Sequence, residues 1–398
     1  MGEFAAESRV FSNRVPNLLS PNRIASARAA APPPFDLTVS NPTECEFPYP
    51  HGILTAFGDV RGLVYRPHPR GLASARAAVA DEYRRHDIAV DPGRIILTSS
   101  TSEAYAFLFK LLANPGEAVM VPSPSYPLFE HLASLEGLRA MSYHLDPESG
   151  WRISLPELEA APDVVRAVVV VHPNNPTGSF VHGDDAVALV ALCARRGWAL
   201  IADEVFLDYQ LAPDVGMAAS FARPRGSGLI FVLGGLSKSI GLPQLKLAWI
   251  VVDGPSDLAA HAVERLEFIS DAYLSVGTPV QLALPTLFRE GAAIRSAIRE
   301  RCQANLAELQ RAMAEQPAMS IMLPQGGWSA PLRFPAVVGE EELVLELLVR
   351  DGVGMHPGYF FDFPAEGVLV ASLLPPPGTF VEGIQRALRR IAAHLVGA

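Results

Sequence analysis

Five strand-like aliphatic runs, at 118–121, 166–172, 198–203, 229–234 and 246–252, punctuate the middle of this 398-residue chain, most of them separated by helix-patterned stretches. A run such as Ala167-Val-Val-Val-Val-His172 leaves no polar face for water. Strands of that kind are covered on both sides, so the runs impose a mostly parallel sheet sandwiched by helices, an α/β architecture. A further run, Arg94-Ile-Ile-Leu-Thr98, follows a helical pattern over 72–86 and joins the same set. The large domain is expected over 51–280.

Residues 1–50 stand outside this pattern. They are rich in Pro, Ala, Arg and Asn, with a Pro triplet at 32–34, and read as an N-terminal arm packing partly on a small domain. Beyond the large domain the spacing predicts a helix over 291–316 and a hairpin turning at Gly326-Gly327. A helix at 340–350, strands at 353–357 and 367–373, and a last helix at 379–396 complete the pattern. That mixture describes a smaller α+β domain over 281–398.

Composition removes several classes of function. A formal net charge of −10 is at odds with the basic face that nucleic-acid binding needs. Cys45, Cys193 and Cys302 lie far apart without CxxC spacing, which predicts neither a disulfide framework nor a zinc site. No apolar leader opens the sequence, and no window supplies about 18 uninterrupted apolar residues. A cytoplasmic protein with a small-molecule partner is expected.

Three chemistry-bearing residues end strand-like runs, where open α/β folds keep their ligands. Asn175 lies in Asn174-Asn-Pro-Thr-Gly178, Asp203 closes Trp198-Ala-Leu-Ile-Ala-Asp203, and Lys238 follows Gly234-Gly-Leu-Ser237. A lysine in an apolar stretch has its pKa lowered by desolvation, which favours Schiff-base chemistry. A desolvated carboxylate needs a positive partner, and a pyridinium nitrogen supplies one. Ser99-Ser-Thr-Ser102 adds hydroxyls at a helix N-terminus, which by itself reads first as an ordinary N-cap and in this company as a phosphate site. Alone, each of these reads as a loop, a cap or a surface lysine; together they suit a pyridine-aldehyde cofactor.

With these residues in place, the chain resembles the fold-type I, pyridoxal-phosphate-dependent aminotransferases of class I/II, from Tyr65-Arg-Pro-His-Pro-Arg-Gly71 to the C-terminal helix. The resemblance rests on Asn175-Pro-Thr-Gly178, Asp203-Glu-Val205 and Ser237-Lys-Ser-Ile-Gly-Leu-Pro243 in combination. It implies an aspartate aminotransferase-like fold and pyridoxal 5′-phosphate as cofactor. Lys238 would then carry the Schiff base and shuttle the substrate proton, while Asp203 keeps the pyridine nitrogen protonated. Asn175 would donate to the ring hydroxyl oxygen, and Tyr126 of Pro122-Ser-Pro-Ser-Tyr-Pro127 would stack on the ring. Thr101, Ser102, Ser237 and Lys246 would hold the phosphate, together with Tyr65 from the neighbouring subunit of a homodimer.

Three positions depart from the family pattern. Phe206 replaces a tyrosine that donates to the ring oxygen, with Tyr209 as a possible substitute, and Lys246 replaces an arginine at the phosphate. Val370, in Glu366-Gly-Val-Leu-Val-Ala-Ser372, stands where the family reads an α-carboxylate with arginine, and 351–385 contains no Arg or Lys at all. Arg66, Arg70, Arg333 and the neutral Asn41 are the candidate substitutes, while Trp328, Phe360 and Phe361 point to an apolar substrate pocket. Transamination with atypical carboxylate recognition is therefore expected, with a lyase or decarboxylase outcome on the same scaffold as the alternative. A transcription regulator carrying such a domain would need a DNA-binding module in front, where only about 50 Pro-rich residues stand.

Overall fold

The computed structural model describes residues 11–16, 19–212, 216–224 and 226–396. Its strands in chain order are β1 (Phe35–Asp36), β2 (Ile95–Thr98), β3 (Ala118–Ser123), β4 (Arg139–Asp146), β5 (Arg152–Ile153), β6 (Val165–Val171) and β7 (Ala199–Asp203). Then come β8 (Leu229–Gly235), β9 (Ala248–Asp253), β10 (Ser320–Ile321), β11 (Ser329–Arg333), β12 (Val353–Gly354), β13 (His356–Pro357) and β14 (Val368–Ser372).

One eight-stranded sheet, in the order β2-β9-β8-β7-β6-β3-β4-β5, organises the large domain. Strands β8, β7, β6, β3 and β4 run parallel to their neighbours in that row, whereas β9 and β5 pair antiparallel. Alternation along each strand divides the core in two. Leu200, Ala202, Ile230 and Val232 face one layer with the helices Ala73–Arg84, Gly183–Arg196 and Thr278–Met313. Ala199, Ile201, Phe231 and Leu233 face the other, with Thr101–Leu112 and Ser256–Asp271. Both faces are buried, as the uninterrupted aliphatic runs require.

A smaller antiparallel sheet, β10-β11-β14-β13, belongs to the C-terminal part. The hairpin expected at Gly326-Gly327 is the β10–β11 pair, with Ile321 opposite Leu332. The long helix differs from expectation: it begins at Thr278 rather than near 291, and carries Pro285 inside it. Pro285 and Gly291 read as helix breakers in sequence, but Gly291 is required by close packing. A Cβ there would stand 2.7 Å from the Cβ of Ile240.

Of the arm expected over 1–50, residues 1–10 and 17–18 lie outside the described residues, and 19–50 hold more order than their composition suggests. Asn22 caps the helix Arg23–Ala30 by accepting from the Ala25 N–H at 2.7 Å, and Arg23 bonds both Glu341 and Glu342. β1 runs parallel to β12. This lays Thr38, Val39 and Ser40 along the cavity wall described next.

Candidate active site

The parallel strands end together, and their carboxyl ends deliver the side chains. Thr98 leads into the helix Thr101–Leu112, Ser123 into Tyr126, Val171 into Asn175, and Gly235 into Lys238; Asp203 is itself the last residue of β7. Val171 and Asp203 are register partners, as are Asp203 and Leu233. Neighbouring ladders thus bring residues 35 and 28 positions apart to one edge. A cavity of about 280 Å³ opens there, with Lys238, Asp203, Asn175, Tyr126, Thr101 and Ser237 in its wall.

Asp203 is 7% exposed. Burial pushes its carboxyl up to about 6, while the Val205 N–H at 3.2 Å, the Tyr105 hydroxyl at 2.9 Å and the Lys238 charge favour the ionised form. Lys238 feels the complementary field. Burial draws its amine down to about 8 against the pull of Asp203. Its Nζ donates to the Ser40 carbonyl at 3.4 Å and sits 4.9 Å from the Trp328 ring centroid and 5.7 Å from that of Phe206. An amine so placed releases its proton near neutral pH and is available as a nucleophile.

The lysine loop is clamped from behind. Tyr209, fully buried, donates to the Lys238 carbonyl at 2.6 Å; Arg295 Nε donates to the Ser239 carbonyl at 2.8 Å, and Tyr49 to that of Gly241 at 2.7 Å. Arg295 is itself held by Glu82 and Asp208. Tyr209 is therefore committed to the backbone of the loop and does not replace the hydroxyl that Phe206 lacks. Phe206 lines the cavity.

A second clamp fixes the other loops. Asn174, buried beside Asn175, donates to the Pro124 carbonyl at 2.9 Å and accepts from Ser125 Oγ at 2.7 Å, tying the Tyr126 segment to the Asn175 segment. At the helix N-terminus, Ser100 accepts from the Glu103 N–H and Glu103 accepts from the Ser99 N–H. This capping box keeps the turn before Thr101 rigid. Sequence reasoning missed Asn174 and Tyr105, although Tyr105 lies four residues after Thr101, the spacing that shares a helix face.

Several expected residues are not in the cavity wall. Ser102 follows Thr101 in the first helical turn outside the wall, and Lys246 is exposed, in a left-handed conformation with φ 50°. Tyr65 is 78% exposed and shares a separate depression with Arg66. Arg70 pairs with Glu267 at 3.1 Å and donates to the Gly93 carbonyl at 2.9 Å. Asn41 accepts from the Thr43 N–H, and Arg333 is exposed, 4.0 Å from Glu148. Trp328, Phe360, Phe361 and Val370 do line the cavity.

The donor set fits a phosphorylated pyridine aldehyde. A buried carboxylate, an amine with a lowered pKa and a rigid helix N-terminus are the three features such a group needs. Among the described residues no cluster of metal-ligating side chains occurs, and no helix is long and apolar enough to cross a membrane.

Comparison with known proteins points the same way. Residues 51–372 match the family model for aminotransferase class I and II. The chain is 26% identical over 368 residues to the alanine aminotransferase of Mycobacterium tuberculosis, covering 88% of this chain and 83% of that one. It is also 26% identical to the glutamate-pyruvate aminotransferase AlaA of Escherichia coli, over 91% and 90% of the two chains. Among solved structures, an aminotransferase from Escherichia coli superposes with a TM-score of 0.83 at 23% identity, over 96% of this chain and 98% of that one. A Thermus thermophilus aspartate aminotransferase mutant gives 0.82 at 21% identity, over 96% and 99%. These structural likenesses show an aspartate aminotransferase-like fold.

Proposed function

Because the chain belongs to the class I and II aminotransferases, a family of pyridoxal-phosphate-dependent transferases, we propose that it moves an amino group between an amino donor and a carbonyl acceptor without an arginine of its own to read a carboxylate. The observation that carries this reading is the meeting of Lys238 and Asp203 in one cavity beside the Thr101 helix N-terminus.

Bound pyridoxal 5′-phosphate supplies an electron sink for the carbanion formed at the donor's nitrogen-bearing carbon. The chain supplies the rest. Asp203 holds a proton on the ring nitrogen, and Tyr105 and the Val205 N–H keep that carboxylate ionised and aimed. Thr101 and Ser237, with Ser102 and Lys246 nearby in sequence, bind phosphate; Asn175 and Tyr126 orient the ring. Lys238 takes the proton from the donor carbon and returns it, and its lowered pKa lets it do both near neutral pH. Trp328 and Phe206 shield the amine from bulk water.

Transamination is favoured over the lyase and decarboxylase outcomes because the relatives above are named for it. A homodimer with Tyr65 at the partner's phosphate and a cytoplasmic location belong to the same reading. The described residues contain three unpaired, buried cysteines, which suits a reducing compartment. The test is reconstitution with the cofactor and incubation with a donor panel. Accumulation of amine-form cofactor together with the carbonyl product is expected. Release of ammonia, carbon dioxide or thiol would point instead to carbon-bond cleavage.

A further inference from the structure

Val370 occupies the middle of β14, with Pro331 of β11 as its register partner on one side and His356 of β13 on the other. Alternation turns Val370 and Ser372 to the cavity while Leu369 and Ala371 pack into the main core. Among the described residues the charged groups in the wall are Lys238 and Asp203 alone. Lys238 is committed to the reacting nitrogen and Asp203 repels anions. Arg28, the cation whose charge acts on His356, is bonded to Asp36 and to the Thr38 hydroxyl.

What faces Val370 is therefore neutral. His356 packs against Phe361 and Phe360, with ring centroids 5.8 and 6.0 Å away, and burial together with the Arg28 charge favours its uncharged form. The facing groups that shift this balance back, the Asp36 charge and the Thr38 backbone, are weaker. With one ring nitrogen bonded to the Thr38 backbone, a neutral imidazole offers the cavity its other, accepting nitrogen, enough to orient a hydroxyl or amide N–H but not to balance a carboxylate. Around it, Phe206, Phe360, Phe361 and Trp328 leave room for an apolar body. Such a wall leaves a buried carboxylate unpaired.

We propose that this cavity takes an amine whose nitrogen-bearing carbon carries hydrogen or a neutral group in place of a carboxylate, with an apolar body, and that His356 is the specificity-determining residue that orients it. The proposal rests on the aminotransferase reading. In balance, the donor carbon would lose its nitrogen, its C–H proton and two electrons and take an oxygen from water, departing as an aldehyde or ketone; the bound cofactor would accept the nitrogen and the two electrons and release its aldehyde oxygen as water, so that water cancels overall. No other oxidant is needed. A carbonyl acceptor then reverses the exchange.

The test compares matched probes on the reconstituted enzyme: phenethylamine against phenylalanine, isoamylamine against leucine, and benzylamine against phenylglycine. The ratio of kcat/KM values should favour the amine by tenfold or more, and Val370→Arg should move it toward the amino acid by a similar factor. His356→Gln should keep the preference for donors bearing a neutral polar substituent, tested with phenylalaninol, and His356→Phe should lose it. Calorimetry of the unsubstituted enzyme with 3-phenylpropanol and 3-phenylpropionate gives a reading that no variant can spoil by misfolding; the alcohol should bind more tightly. Preference for the amino acids, or tighter binding of the propionate, overturns the proposal, including the case where a second copy of the chain supplies the cation. Either result leaves the aminotransferase reading intact, whereas ammonia or carbon dioxide release from the amino acids overturns that reading instead.

Discussion

At the residue scale the chemistry depends on two groups held away from their ordinary ionisation. Lys238 falls from 10.5 to about 8 on folding, so between those values the unfolded chain binds more protons than the native one. Stability then rises with pH across that window, and the burden of burying the charged amine, on the order of 3 kcal/mol, is present below about pH 8. Asp203 acts oppositely. Its rise from 3.8 to about 6 makes the native state bind more protons in that window, so stability falls as pH increases through it. In cofactor-free protein, Lys238→Met should raise the urea midpoint at pH 7 and flatten its increase toward pH 10. An unchanged slope in the variant would mean that Lys238 is solvated. Phe206→Tyr would add a hydroxyl in the cavity wall where the proposed site puts the ring oxygen. A hydrogen bond to a charged group is worth about 1.5–3 kcal/mol, so the pH midpoint of the bound cofactor's visible band should fall by roughly one to two units. A midpoint that does not move shows the new hydroxyl aimed elsewhere. Lys238, Asp203 and Asn175 were legible because each ends an aliphatic run. Tyr105 and Asn174 were not, since Asp203 and Pro124, which they bond, lie 98 and 50 positions away, and neither a helix-face spacing nor a place in a turn motif reveals those contacts.

At the element scale, what the sequence concealed follows from solvent exposure and close packing. The central strands were legible as uninterrupted aliphatic runs, but β4, next to the edge strand β5, buries only Tyr143 and Leu145 among exposed and half-buried residues, and its eight residues gave no such run. The start of Thr278–Met313 was hidden by Pro285 and Gly291, which local propensity counts against a helix. Tertiary packing outweighs that propensity at Gly291. Alanine there would gain about 1 kcal/mol of helix propensity but force its Cβ against Ile240, at a cost of about 1–3 kcal/mol. Gly291→Ala should therefore destabilise the protein by about 1 kcal/mol, and Ile240→Val in the same chain should recover part of the loss. Stabilisation by Gly291→Ala alone would show that the lysine loop yields freely. The clamp on that loop is tested more directly by Tyr209→Phe, which strips the Lys238 carbonyl of its donor at 2.6 Å. A loss of about 1–3 kcal/mol in stability is expected, with kcat falling and KM little changed, because the lysine loses its position while the pocket keeps its walls. A rise in KM at constant kcat would contradict a positioning role.

At the scale of the whole molecule, the fold gathers part of the expected site in one cavity and leaves several of its expected members, Tyr65 among them, outside the wall. Tyr65 is 78% exposed, and it follows a stretch in which Leu54, Val60 and Leu63 are 68%, 72% and 84% exposed. Large apolar side chains left in water over one short segment are what the proposed dimer would cover. That segment packs against the N-terminal part of the long helix, where Gly62 would bring a Cβ to 3.7 Å from Pro279, so its outward face is held in place. In the proposed two-fold dimer the same patch would meet its own copy, and each Tyr65 would serve the other cavity. Two variants separate this arrangement from a site complete within one chain. Lys238→Ala lacks the amine and Tyr65→Ala lacks the phenol; unfolded together and refolded, they form mixed dimers in which one cavity receives Lys238 from one chain and Tyr65 from the other. The mixture should regain cofactor affinity and exchange activity beyond the sum of the separate variants at limiting cofactor. Sedimentation should show a dimer that weakens when Leu63→Asp places a charge in the apolar patch. If mixing restores nothing, or the wild-type chain sediments as a monomer while active, Tyr65 serves no second subunit and the phosphate must be held by Thr101, Ser237 and their neighbours in the same chain.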